Sequence, residues 1–144
     1  MRSKSFTSRE VRGVVVFVHG TQAPTDDEWD EVLQFYRGKP ETASFRSLVY
    51  TAGGAPNATQ RARLRELGQR RARIAVLTAS AVARAAGVAV AWFNPLIKIY
   101  GLKDTQKALD HLDVPPAHRQ ELLRVITELQ GSLGIAPAHM TDGL

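Results

Sequence analysis

The chain has 144 residues, with 19 Lys+Arg against 14 Asp+Glu for a net charge of +5, 44% hydrophobic residues and no cysteine. That length accommodates one domain with a terminal appendage and excludes barrel enzymes and two-domain dehydrogenases; a chain of this size buries roughly 68% of its unfolded surface and needs no covalent staples. Without cysteine there are no disulfides, thiolate nucleophiles or Cys-ligated metal centres.

The run Val14–Val18 is β-branched, aromatic and continuously apolar, the pattern of a strand covered on both faces. It is too short for a signal core or a membrane span, so the protein reads as soluble and cytoplasmic. Ser5 to Val11 makes a partner strand, with the bend at Arg12-Gly13. Thr25-Asp26-Asp27-Glu28 is a capping box with acids at the positive end of a helix dipole. The helix carries Trp29, Val32, Leu33 and Tyr36 on one stripe and ends at Gly38 and Pro40.

Phe45 to Thr51 is the next strand, and Gly53-Gly54-Ala55-Pro56 turns sharply into a helix capped by Asn57 with Gln60 at its N3 position. Its apolar residues are chiefly Leu64 and Leu67, and Arg61, Arg63, Arg65 and Arg70 occupy much of the rest, with Arg71 and Arg73 close behind. Most of its circumference is therefore expected to face water or a partner. Ile74 to Leu77 follows as a strand. Ser80 then caps a helix expected to pack through Val82, Ala85, Ala86, Ala89 and Phe93 until Asn94-Pro95 stops it. Leu96 to Tyr100 is the last strand, Asp104 starts a short helix with Ala108, Leu109 and Leu112, and after Pro115-Pro116 an amphipathic helix carries Leu122, Val125, Ile126, Leu129 and Leu133. The fold class is α/β, a mainly parallel four- to five-stranded sheet with helices packed on it. We divide the chain into a domain over 1–114, a helix over 115–134 packed on that domain or at a homodimer interface, and a flexible tail over 135–144.

The familiar catalytic sets are missing. Val18-His19-Gly20 is similar to the segment that supplies an oxyanion-hole amide in α/β-hydrolases, but there is no G-x-S-x-G elbow; Ser80 and Ser132 have the wrong neighbours. Neither a P-loop nor G-x-G-x-x-G occurs. Histidines 19, 111, 118 and 139 lack metal-ligand spacing and read as strand-end or surface residues. No enzyme, cofactor or metal is expected. The best candidate site is the loop from Thr51 to Arg61 together with Arg63: Gly53 and Gly54 admit close backbone approach, the amides at the helix start favour an anion, and Arg61 with Arg63 can clamp it. No aromatic interleaving or helix-turn-helix accompanies the arginines, so nucleic acid is not the expected partner.

The order of elements resembles the STAS domain of anti-sigma-factor antagonists, and more closely the small stand-alone STAS-like proteins of bacteria. The resemblance covers Val11 to Val114 and is carried by Val14 to Val18, Thr25-x-x-x-Trp29, Gly53-Gly54-x-Pro56-Asn57-x-x-Gln60-Arg61-x-Arg63-Leu64, Ile74 to Thr78, and Trp92-Phe93-Asn94-Pro95 followed by Ala108-Leu109-x-x-Leu112. It implies a regulatory signalling module that binds a protein through the loop and helix start matching Gly53, Gly54, Asn57, Thr59, Gln60, Arg61 and Arg63. That region of the family carries a phosphorylatable Ser or Thr; Pro56 to Gln60 holds no serine, which leaves Thr59 as the candidate phosphorylation site. The arginines, a departure from the family, imply a partner with an acidic surface, or alternatively an anionic small molecule or nucleotide sensed at the same loop.

Overall fold

A computed structural model of the chain describes residues 5–38, 45–66, 72–92 and 94–137. Strands β1 (Phe6–Val11) and β2 (Val14–His19) pair antiparallel about Arg12 and Gly13. Their φ angles of 54° and 76° form the left-handed pair whose twist matches that of a two-residue hairpin. Every residue of β2 is buried, as its unbroken β-branched run requires.

Helix α1 (Asp26–Arg37) begins at the expected capping box: the Glu28 amide donates to the Thr25 hydroxyl and the Thr25 amide to the Glu28 carboxylate. The second Glu28 oxygen accepts from the Ser5 amide at 2.9 Å, so one side chain both caps the helix and fixes the entry to β1. Trp29, Val32, Leu33 and Tyr36 are buried as their spacing predicts, and Gly38 is the C-cap; Pro40 lies outside the described residues.

Then follow β3 (Phe45–Thr51), α2 (Ala58–Arg65), β4 (Ala72–Thr78), α3 (Ala81–Ala91) and β5 (Ile97–Tyr100). The sheet has strand order β1-β2-β3-β4-β5, parallel except for the first pair. The expected mainly parallel α/β architecture is therefore present, with five strands. A 3-10 turn over Leu102–Asp104 precedes α4 (Thr105–His111), so the short helix starts one residue beyond the expected Asp104. The Asp104 carboxylate makes no capping bond and lies 3.5 Å from Lys107.

The helices divide between the two faces of the sheet. Buried side chains of α4 and of α5 (Pro116–Ser132) share one core with Val14, Val16, Val18, Leu48 and Leu77; those of α1 share the other with Val15, Phe17, Ile74 and Ile97, and partly buried residues of α2 and α3 join it. Leu122, Val125, Ile126 and Leu129 of α5 are buried in the first core, with Leu133 partly buried beside them. Ion pairs Arg9–Glu128 at 2.9 Å and Arg12–Glu121 at 2.8 Å tie α5 to the first hairpin.

The packing face of α3 corrects the expectation. Val82 is 71% exposed and Ala85 is exposed, against expectation, whereas Ala86 is buried as expected and Ala83 is buried with it. The reason is steric: a Cβ at Gly87 would lie 2.6 Å from Cδ1 of Ile99, so the helix turns its smallest side chains toward the sheet. Trp92, at its C-cap, is left 82% exposed. Phe93 lies outside the described residues.

Candidate functional site at the carboxyl ends of the central strands

β2 and β3 end side by side, with His19 paired to Thr51, and the loops that leave them interlock. The Ala52 amide donates to the His19 carbonyl at 3.0 Å and the Gly54 amide to the Gly20 carbonyl at 2.8 Å. Threonine hydroxyls extend the sheet's order past the strand ends: Thr78 donates to the Thr51 carbonyl at 2.8 Å, and Thr51 to the Gly54 carbonyl at 2.6 Å.

The two glycines serve this loop-to-loop contact. A Cβ at Gly54 would lie 2.3 Å from the Gln22 carbonyl oxygen and 2.9 Å from that of Gly20, and Gly53 has φ +143°, which only glycine adopts without strain. The close approach expected of a ligand is thus taken by the protein's own backbone.

Asn57 caps α2 as its sequence predicts. Its side chain accepts from the Gln60 amide at 2.8 Å, and the Gln60 side-chain carbonyl accepts from the Asn57 amide at 3.0 Å. Gln60 is buried, and its Nε2 donates to the Pro24 carbonyl at 3.1 Å and to Asp26 at 3.0 Å. The Trp29 indole N–H donates to the Gln60 main-chain carbonyl at 2.9 Å. Thus α2 is pinned to the start of α1 by side chains on both helices. Asn57, Ala58 and Thr59 remain exposed on this fixed base.

The described arginines have different partners. Arg61 donates back to the Pro56 carbonyl at 2.9 Å, and Arg63 pairs with Asp30 of α1. Arg65 is exposed in the last turn of α2. Arg73 sits on β4, 3.1 Å from the His111 carbonyl. Leu67, Arg70 and Arg71 lie outside the described residues.

His19 is a strand-end residue, as expected, and it is buried. Its ring stacks on Phe6 and Phe17 at centroid distances of 5.5 and 6.4 Å. Desolvation lowers its pKa to about 4, outweighing the opposing pull of Glu28, so the imidazole is neutral at pH 7. Behind the loop, His19 and Thr51 border a cavity that extends between the sheet and helices α1 to α3. Sequence reasoning missed this space. Its signal was the shortage of apolar residues in the helix after Asn57, with chiefly Leu64 and Leu67 to cover two central strands.

The chain matches no protein-family model, no curated protein and no solved structure.

Proposed function

We propose that the chain is a non-enzymatic, STAS-like regulatory module that docks a protein partner with an acidic surface through residues 53–63. The observation that carries this reading is the immobilised platform at the start of α2. Hydrogen bonds to Gly20, Pro24 and Asp26 and from the Trp29 indole fix the segment from Gly54 to Gln60, while Asn57, Ala58 and Thr59 face solvent. A pre-ordered surface loses little conformational entropy on binding. The groups a hydrolase would need are otherwise engaged: His19 is stacked against Phe6 and Phe17, Thr51 is bonded to Gly54, and the Ser80 hydroxyl accepts from the Ala83 amide as a helix cap. The element order supports the STAS-like assignment, and a cytoplasmic signalling role with Thr59 as phosphorylation site belongs to the same proposal.

The test is affinity capture from native lysate with wild type and with the Ala58→Glu, Thr59→Glu double variant. Acids at a helix start favour the dipole, so the fold is kept while an acidic partner is repelled. A protein retained by wild type and lost from the variant supports docking at this site. Equal retention by both removes the site assignment. If nothing is retained and nucleotides raise the melting temperature, the alternative of an anion sensor at this loop replaces it.

A further inference from the structure

The two faces of the sheet are covered unequally. On the side of α4 and α5, Leu48, Tyr50, Ala75 and Leu77 of the central strands β3 and β4 are buried. On the other side, Val49 and Val76 of the same strands remain partly exposed although three helices lie over that face. The helices themselves explain the difference. From α2 Leu64 reaches this layer, and α3 presents Ala83, Ala86 and Gly87, side chains too small to reach across, along with Val90.

What remains is a pocket of about 100 Å³ that is partly open to solvent. Phe17, Val49, Ile74, Val76 and Ile97 form its floor; Trp29 and Val32 of α1 face it, and Pro56 and Leu64 bound it on the side of α2. Protein interiors are close-packed with few voids larger than a water, so a space of this size forfeits dispersion contacts along its whole lining. Water is a poor filler here because it needs polar partners. The Trp29 N–H is committed to Gln60, the Thr51 hydroxyl to Gly54, and the Tyr36 hydroxyl is bonded to Ser47. His19, neutral and stacked at one end, is the lining's titratable imidazole.

We propose that this cavity is a binding site for a small uncharged apolar molecule, on the scale of one aromatic ring and carrying at most one polar atom, which His19 receives. An enclosed apolar cavity of about 150 Å³ takes up benzene or xenon, which sets an upper size class for this smaller, partly open pocket. Among the described residues no cation lines the space, which disfavours an anion. The site shares Gly54, Ala55 and Pro56 with the docking segment, but the exposed docking residues Asn57, Ala58 and Thr59 are not part of its lining.

The experiment is a titration of the whole chain with benzene, phenol and benzoate, read by methyl chemical shifts and by melting temperature. Benzene and phenol are expected to move the methyl signals of Val49, Val76 and Ile97 saturably and to raise the melting temperature; benzoate does neither. In Ala86→Leu, where the added side chain fills the cavity, the saturable response disappears, and in Ala58→Glu, Thr59→Glu it persists. His19→Phe keeps the benzene response and loses any preference for phenol. No saturable shift in wild type, a response centred on Leu48 and Leu77 of the opposite face, or an equal response in a folded Ala86→Leu overturns the proposal. Should Ala86→Leu fail to fold, Ala83→Val is the substitute, and the wild-type methyl map decides by itself.

Discussion

The side-chain amide of Gln60 donates to the Asp26 carboxylate at 3.0 Å, and through this bond the first turns of α2 and α1 are held as one unit. The same amide reaches the Pro24 carbonyl, and the side-chain carbonyl completes the cap on Asn57. Gln60→Ala removes three hydrogen bonds from a buried position and is expected to cost about 2 to 3 kcal/mol. Asp26→Asn keeps an acceptor and should cost less than about 1 kcal/mol. Urea denaturation of both variants at neutral pH checks the ordering.

His19 makes stability depend on pH. Its folded pKa of about 4 lies below the ordinary 6.5, so between these values the unfolded chain binds the proton and the folded chain does not. Stability from this group is therefore complete above pH 6.5 and falls as pH drops toward 4. The expected loss between pH 7 and pH 4 is on the order of 3 kcal/mol. The difference in unfolding free energy between wild type and His19→Phe, measured across that window, should change by this amount; a constant difference contradicts it.

Two glycines should respond in opposite directions. Gly54→Ala drives a Cβ into the Gln22 and Gly20 carbonyls, backbone against backbone, and is expected to cost about 2 kcal/mol or more. Gly131 lies in α5 with nothing within 4 Å of its ideal Cβ, so Gly131→Ala should stabilise by about 0.5 kcal/mol through helix propensity. Melting temperatures of the two variants give the signs directly.

Arg63 faces Asp30 across 33 residues of sequence, and both side chains are partly exposed. Arg63→Glu alone sets two acids together. Adding Asp30→Arg restores an opposite-charge pair, and the double-mutant cycle should return a coupling of about 0.5 to 1 kcal/mol that shrinks as salt is added.

Much of the fold was legible because its signals are local. The Thr25 and Asn57 capping boxes, the β-branched run of β2 and the stripe of α1 each need only a few adjacent residues to declare themselves. The features that escaped are settled between distant segments. The face of α3 turns on the contact of Gly87 with Ile99, and the role of Gly54 depends on a loop more than thirty residues earlier in the chain. The arginine count after Asn57 suggested an anion clamp, yet Arg61 and Arg63 are answered by Pro56 and Asp30. Charge in a sequence does not show which cations the fold will pair.

Each strand hydrogen-bonds to the next one in the chain, so the sheet can grow outward from the first hairpin in the order in which the polypeptide is synthesised. The antiparallel hairpin closes locally, while each parallel pairing must bridge a helical crossover and forms more slowly. Helix α5 breaks this order, returning across 119 residues from Glu128 to Arg9. While that helix is still within the ribosome, Val14, Val16 and Val18 on one side of the growing sheet have no cover from it. Helix α5 is thus the latch that closes the hydrophobic face of the first hairpin, and a nascent chain arrested before Leu122 should present that face to chaperones.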